Sequence, residues 1–369
     1  VCEPEAISFL EKSEEIEVNT GAIIVATGFE VLEPIELRKE YGYGKYDNVL
    51  TAMQFERLLS SFGPTVGKVL RPSDYKKPKK LGWIQCVGSR SAQEGYPYCS
   101  RVCCMYATKE ASIVKETNPE IDITIYYMDI RAYGKDFQQY YTHAKDLGVK
   151  YVRGRPSNVY ENEDKSLTIR YKDTLSGKIK EDKVDLLVLS TSIIPAKDNI
   201  KLAKILGIEV DENGFFLQDS LLQNPVQSTK DGIYLAGCIQ GPKDIPDSVS
   251  MASGAAARAV EPVKDRKRHI GREFPPEKDV QNEESRIGVF VCHCGKNIAG
   301  YLDVEKVTEE AKKLPNVSYA EHVMFACSED TGKKIRDTIK EKKLNRIVVA
   351  ACSPRTHGGL FQDTLLEAG

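Results

Sequence analysis

The stretch from Leu81 to Ile130 constrains the fold of this chain more than any other. "LGWIQCVGSR" (81–90) is an apolar, β-prone run, and "SRVCCMYATKEASIVKE" (100–116) has helical spacing and is stopped by Asn118-Pro119. "DITIYYMDI" (122–130) is a second apolar run. Strand, helix and strand over such a length form a parallel unit closed by a right-handed crossover. In a dinucleotide-binding domain, the turn after the first strand is a glycine-rich phosphate cradle. Here that turn, "CVGSRSAQEGYPYCSRVCC" (86–104), holds four cysteines and no G-x-G-x-x-G.

The same alternation organises the rest of the chain. "GAIIVATGF" (21–29) is a strand ending on Thr27-Gly28, and "TAMQFERLLSSF" has helical character. The basic, proline-bearing "RPSDYKKPKK" reads as a linker. "SLTIRYKDTLSGKIKEDKVDLLVLSTS" is a hairpin running into a buried strand. Residues 232–260, "GIYLAGCIQGPKDIPDSVSMASGAAARAV", are a strand, a glycine-proline loop and an alanine-rich helix. The charged stretch from Glu261 to Ser285 marks a domain boundary. Beyond it, three strands alternate with helices in a small parallel sheet. The expected organisation is part of a first dinucleotide-binding domain and a linker over 1–80, an inserted nucleotide-domain-like region over 81–195, and the rest of the first domain over 196–262. A linker over 263–285 and a small α/β domain over 286–369 complete it.

Composition narrows the function. A net charge of −2 offers no basic face for nucleic acid, and no apolar run approaches the length of a membrane span. The amino end, "VCEPEAISFL", has no initiator Met and no signal-peptide pattern, and reads as the interior of a longer polypeptide. Ten cysteines in a large, lysine- and glutamate-rich chain without an export signal point to a reducing cytoplasm and to metal or redox chemistry rather than disulfides.

Two cysteine groups stand out. The first, Cys86, Cys99, Cys103 and Cys104, has the spacing C-x12-C-x3-C-C. If the helix begins near Ser100, Cys99 and Cys103 lie one turn apart on one face and Cys104 points about 100° away. Cys86 then closes the set from the preceding strand. Four thiolates suit an iron–sulfur cluster or a structural zinc; buried free thiols and a strained Cys103–Cys104 vicinal disulfide are the alternatives. The second group, Cys292, Cys294, Cys327 and Cys352, falls at or just beyond the carboxyl ends of the three C-terminal strands. In an open parallel sheet those ends share one edge, so the thiols converge there although distant in sequence. His293 is a weaker ligand candidate that faces outward. Cys327 and Cys352 each precede a serine able to start a helix.

Around Cys238 the chemistry differs. In flavoproteins with two dinucleotide-binding domains, a late strand ending in Ala-Gly-Asp feeds a helix whose amino terminus points at the flavin. This chain has "YLAGCIQGPKDIPDS", with Cys238 at the aspartate position. Together with "IIVATG", it outlines a FAD site of Thr27, Gly28, Gly237, Cys238, Gly241, Asp244, Ile245 and Pro246. The fold class is therefore α/β: a partial thioredoxin-reductase-like, two-dinucleotide-binding flavoprotein fold followed by a small parallel α/β domain. The inserted domain, lacking a glycine cradle, is expected not to bind nicotinamide dinucleotides. An inorganic electron carrier takes that place.

At these residues the chain resembles the A subunit of heterodisulfide reductase. The matching stretches are "GAIIVATGFE", "IQCVGSR", "YCSRVCCMYATKEA", "YMDIRAYGKDF", "GCIQGPKDIPDSVSMASGAAARA", "VFVCHCGKNIAGYLDV" and "AACSPRTH". The resemblance implies a cytoplasmic iron–sulfur flavoprotein of anaerobes, active within a complex. Such a protein collects electrons from a hydrogenase, formate dehydrogenase or other donor module. Its FAD splits an electron pair between ferredoxin and a disulfide or other acceptor, which is flavin-based bifurcation. On this reading Cys86, Cys99, Cys103 and Cys104 hold one 4Fe-4S cluster, and the C-terminal set holds a second. In the usual family order the "CHCG…ACSP" module comes first; here it comes last, as in a fused double-length subunit. The flavin domain's opening glycine-rich loop and ferredoxin-type cysteine runs are absent from these residues. Two other classes compete: a zinc-stabilised docking module, and a thiol–disulfide oxidoreductase using Cys103 and Cys104.

Overall fold

A computed structural model describes residues 9–10, 12–33, 39–61, 63–92, 95–264 and 274–369. Two compact units are present, one of Val18–Lys267 and one of Arg268–Gly369 with Val1–Glu17.

The larger unit begins with β1 (Ile23–Val25), β2 (Phe29–Val31), β3 (Val49–Thr51) and α1 (Ala52–Leu59). It continues through β4 (Lys80–Val87), α2 (Cys103–Thr117), β5 (Asp122–Tyr127), α3 (Phe137–Asp146) and β6 (Lys150–Arg153). A meander of β7 (Pro156–Glu161), β8 (Leu167–Lys172) and β9 (Ile179–Val184) leads to β10 (Leu186–Thr191) and β11 (Ile193–Pro195). Then come α4 (Asn199–Leu206), β12 (Gln218–Ser220), β13 (Asn224–Ser228), β14 (Ile233–Leu235) and α5 (Ile245–Val260).

The centre of this unit is a parallel sheet in the order β3-β10-β4-β5-β6. All six residues of β10 are buried, as expected of a parallel strand covered on both faces. One face packs on α1 and α2, where Phe55 meets Trp83 edge-on at 5.2 Å, both fully buried; such a pair adds about 0.5–1.5 kcal/mol beyond area burial. The other face is covered by the antiparallel meander. Gly82 in β4 allows this close approach, because a Cβ there would meet Ile169 Cδ1 at 3.2 Å and Leu187 Cδ1 at 3.3 Å. Helix α1 begins with a capping box in which Thr51 and Gln54 satisfy each other's backbone N–H groups. The stretch read as a linker is tied down: Ser73 N donates to Asn48 Oδ1 at 3.1 Å, and Arg71 Nη2 donates to the Asp164 carbonyl at 2.9 Å.

A second sheet, β1-β14-β13-β12, joins sequence-distant ends of the unit. β1 and β14 pair in parallel, with Ile23, Ile24 and Val25 opposite Ile233, Tyr234 and Leu235. Their carboxyl ends therefore deliver Thr27-Gly28 and Gly237-Cys238 side by side. The expected single strand over 21–29 is instead two: Gly28, at φ +78°, turns the chain into β2, which pairs antiparallel with β11.

The smaller unit contains β15 (Ile287–Cys292), α6 (Val304–Ala311), β16 (Val317–Val323), α7 (Glu329–Glu341), β17 (Arg346–Ala350) and α8 (Pro354–Leu366). Its sheet, β16-β15-β17, is parallel throughout. Val289, Val291, Val304 and Ala320 fill the space between β15, β16 and α6. The side chains of Ser328 and Ser353 cap α7 and α8, so the serines after Cys327 and Cys352 do start helices.

Candidate functional site

Cys86 ends β4 at φ +60°, in the left-handed region that residues with a Cβ seldom enter, and is 2% exposed. Cys103 and Cys104 open α2 and are 1% and 4% exposed, and Cys99 is half-buried. Helix α2 starts at Cys103 rather than near Ser100, so Cys99 lies in the approach loop and not on the helix face with Cys103. The reason is non-local. The Ser100 hydroxyl lies 3.0 Å from that of Ser192 and accepts the Ile193 N–H at 2.9 Å, while Arg101 sits at φ +66°. These contacts hold the loop against β11 and keep it out of the helix.

All four thiols are free and feel one another. Burial, with Cys104 and Cys99 nearby, pushes the Cys86 thiol up to about 11 against the pull of the Arg90 guanidinium. Cys103 is raised by its hydrogen bond with Cys104 and by burial. That same bond, helped by the Arg131 backbone N–H, pulls Cys104 down to about 7 against the push of burial. Arg90 also pairs with Asp129, through a second contact at 3.3 Å. Beside this group the Gln85 amide nitrogen and oxygen and the Ser89 hydroxyl are buried without a hydrogen-bond partner among the described residues. Among those residues, no three His, Cys, Asp or Glu side chains close around a single metal ion.

Of the residues expected at a flavin, Cys238, Asp244, Ile245 and Pro246 line a cavity of about 780 Å3 within the larger unit, whereas Thr27, Gly28, Gly237 and Gly241 are not among its lining residues. Its lining includes the start of α5, with Cys238, Asp244, Ile245 and Pro246, and the start of α2, with Val102 and Met105. Asp244 caps α5 by accepting the Asp247 N–H at 2.9 Å, and Pro246 falls in its first turn. Gly28, Gly237 and Gly241 all have positive φ, and a Cβ at any of them would meet nothing within 4 Å. These backbones stand open toward a ligand, as a cradle requires. Thr27 lies between β1 and Gly28, so it enters the same loop pair.

Several residues with no sequence motif complete the site. Arg101, two positions before Cys103, pairs with Asp247 in the first turn of α5 and with the Tyr133 hydroxyl, so one side chain ties the cysteine loop to the flavin-type helix. Lys109 Nζ donates to Glu56 Oε1 at 2.6 Å, linking α2 to α1. Glu110 is buried behind them. Its one sequence signal was its place in the helical series 103, 107, 110, 111 and 114, where a lone acid shares an apolar face.

In the smaller unit Cys292, Cys294, Cys327 and Cys352 do follow the carboxyl ends of the strands on one sheet edge. Cys292 is buried, and its Sγ accepts the Ala326 N–H at 3.3 Å. Burial raises its pKa, with Cys294 and Cys327 close enough to raise it further. Cys294 occupies a left-handed position at φ +42°. Cys327 and Cys352 are exposed, and only Cys327 is electrostatically close to Cys292. His293 turns away from the thiols to His322, Nε2 to Nδ1 at 3.0 Å.

No protein-family model matches the chain. It is 47% identical over 264 residues, 71% of its length, to the A subunit of the H(2):CoB-CoM heterodisulfide,ferredoxin reductase of Methanothermobacter thermautotrophicus. It is 49% identical over 257 residues, 69% of its length, to an iron-sulfur A subunit of the CoB--CoM heterodisulfide reductase of Methanopyrus kandleri. A third relative, the A subunit of the ferredoxin:CoB-CoM heterodisulfide reductase of Methanosarcina acetivorans, is 39% identical over 339 residues, 84% of the chain. The chain spans 40%, 39% and 41% of these three relatives. Among solved structures, the thioredoxin reductase of T. acidophilum aligns with TM-score 0.40 at 16% identity, over 66% of this chain and 65% of that one. That of Lactococcus lactis aligns with TM-score 0.42 at 19% identity, over 66% of both chains. Among the described residues, no helix is long and apolar enough to cross a membrane.

Proposed function

Because the chain belongs to the family of heterodisulfide reductase A subunits, we propose that it carries the electron-transferring flavin and cluster region of an oxidoreductase complex. The observation that carries this reading is the shared cavity. The helix that begins with two buried cysteines and the helix that begins at Asp244-Ile245-Pro246 both line it, joined by the Arg101–Asp247 pair.

The residues fit the implied groups. Cys86, Cys99, Cys103 and Cys104 supply four soft sulfur donors in a largely buried setting, with unpartnered polar groups of Gln85 and Ser89 beside them. Four thiols that influence one another in a buried setting are the donor set of a 4Fe-4S cluster. Gly28, Gly237 and Gly241 offer open backbone to FAD, with Thr27 and Cys238 beside them in sequence, and the amino end of α5 favours negative charge on a reduced ring. When bound, FAD supplies one- and two-electron chemistry and a cluster supplies single-electron transfer. The chain orients both, keeps water from the mostly apolar cavity, and places Lys109, paired with Glu56, at its wall.

The names of the relatives extend the reading to partners: ferredoxin, the other subunits of a heterodisulfide-reductase-like complex, and hydrogenase or formate dehydrogenase modules. Division of an electron pair between ferredoxin and a disulfide, in the cytoplasm, completes the proposal. The smaller unit contributes a second cluster through Cys292, Cys294 and Cys327, with Cys352 on the same edge. The test is anaerobic purification of the full-length protein followed by iron, sulfide and flavin analysis. We expect a brown flavoprotein in which Cys103→Ser removes about one cluster's worth of iron. A colourless zinc protein, or unchanged iron in single variants of all four cysteines, overturns the reading.

A further inference from the structure

Glu110 is an acid in a place where a charge is hard to keep. It lies on the buried face of α2 and is 1% exposed. Its Oε2 accepts a hydrogen bond from the Trp83 indole Nε1 at 2.8 Å, a neutral donor. Among the described residues, no lysine or arginine forms an ion pair with it. Its neighbour Lys109 is engaged by Glu56 of α1, which adds like charge, and on the α3 side Lys109 faces Tyr140. Tyr106, partly buried, lies close enough to feel both Glu110 and the Cys103–Cys104 pair, which with burial hold its hydroxyl protonated. Lys109, held by Glu56, and the Trp83 N–H pull toward the carboxylate, but a carboxyl group stripped of water and without an ion-pair partner of its own rests as the neutral acid. Burial accordingly pushes Glu110 up to about 8.

Yet Glu110 is not sealed in. It lines a cavity of about 280 Å3 together with Glu56, Lys109 and Tyr106. That cavity shares the walls Phe29, Val102, Tyr106, Lys109 and Ile193 with the larger one. A protonated acid thus stands on a path leading from polar groups that can exchange protons with water to the proposed flavin pocket.

We propose that Glu110 is the proton store of the flavin site, releasing its proton toward the flavin as electrons arrive and regaining that proton when the flavin is reoxidised. The inference rests on the flavin reading of the larger cavity. Two-electron reduction of a flavin at neutral pH takes up one proton. The Glu110 O–H bond breaks, an N–H bond forms on the ring, and both electrons come from the external donor of the complex. Reoxidation returns the proton, and the chain ends each turnover unchanged.

The test uses the full-length, flavin-loaded protein and reduced-minus-oxidised infrared difference spectra. At neutral pH the wild type should lose the C=O band of a protonated carboxylic acid on reduction, and Glu110→Gln should lack that band. The pH profile of the flavin midpoint potential should bend in the wild type and lose that bend in the variant. Should the variant not fold, the wild type alone decides, because its band must titrate away between about pH 6 and about pH 10. Bound flavin with no such band, or with the band and the profile unchanged in the variant, overturns the proton store and leaves the flavin reading standing. A protein that binds no flavin overturns both, and flavin analysis of the same sample tells these outcomes apart.

Discussion

The burial of Glu110 makes stability depend on pH in a way that one substitution should invert. Its carboxyl is raised from an ordinary 4.5 to about 8, with burial as the main cause. At about 1.4 kcal/mol per unit, that shift corresponds to about 5 kcal/mol. Below 4.5 the folded and unfolded chains both hold the proton, and the contribution is fully present. Between 4.5 and about 8 the unfolded chain has released its proton while the folded chain retains it. Folding then takes up a proton and stability falls by about 1.4 kcal/mol per pH unit. Above that window the loss is complete. In Glu110→Gln the side chain is neutral at every pH and still accepts from Trp83, but its extra N–H group has no acceptor, a cost of about 1–3 kcal/mol. The wild type should therefore be the more stable protein near pH 5, and the variant should lead by about 2 kcal/mol or more near pH 9. Urea unfolding followed by tryptophan fluorescence reads this directly, because Trp83 is the only tryptophan and touches the substituted group. Every other titrating group cancels in the difference between the proteins. A variant that is destabilised by the same amount at both pH values would show that Glu110 ionises normally, and the reasoning would fall.

Two further predictions concern the loops around the proposed flavin site. Gly241→Val forces a β-branched side chain onto a backbone at φ +134° and fills the open side of the loop; flavin should be lost on gel filtration while iron content holds, and full flavin retention would refute the cradle. Arg101→Ala removes a pair whose side chains are 34% and 39% exposed, so the melting free energy should change by no more than about 1 kcal/mol. Electron transfer between flavin and cluster should nevertheless slow in rapid-mixing experiments, with both cofactors retained, because α2 and α5 are no longer tied. An unchanged rate would show that the tie is incidental.

The alternation of apolar and helical runs was enough to read the parallel α/β units from the sequence, because that periodicity reflects which face of each element leaves water. The same local logic placed Cys86 at a strand end, Cys292 at another, and helix starts at Ser328 and Ser353. Local pattern could not place the start of α2. Helical spacing runs back to Ser100, but the bonds of that serine to Ser192 and Ile193, more than ninety positions away, hold Cys99 outside the helix. Nor did it show that β3, upstream of the basic stretch at 71–80, hydrogen-bonds to β10 in the sheet of β4. Lys109 and Glu56 are ordinary surface charges on a helical wheel, and Arg101 is one basic residue among many. Only the packing of α2 against α1 and the approach of the cysteine loop to α5 give these charges partners. Glu110 shows the division most clearly. Its position on an apolar helical face is written in the sequence, whereas its proton is set by Trp83, Glu56 and the loss of water around it, which exist only once the chain has folded.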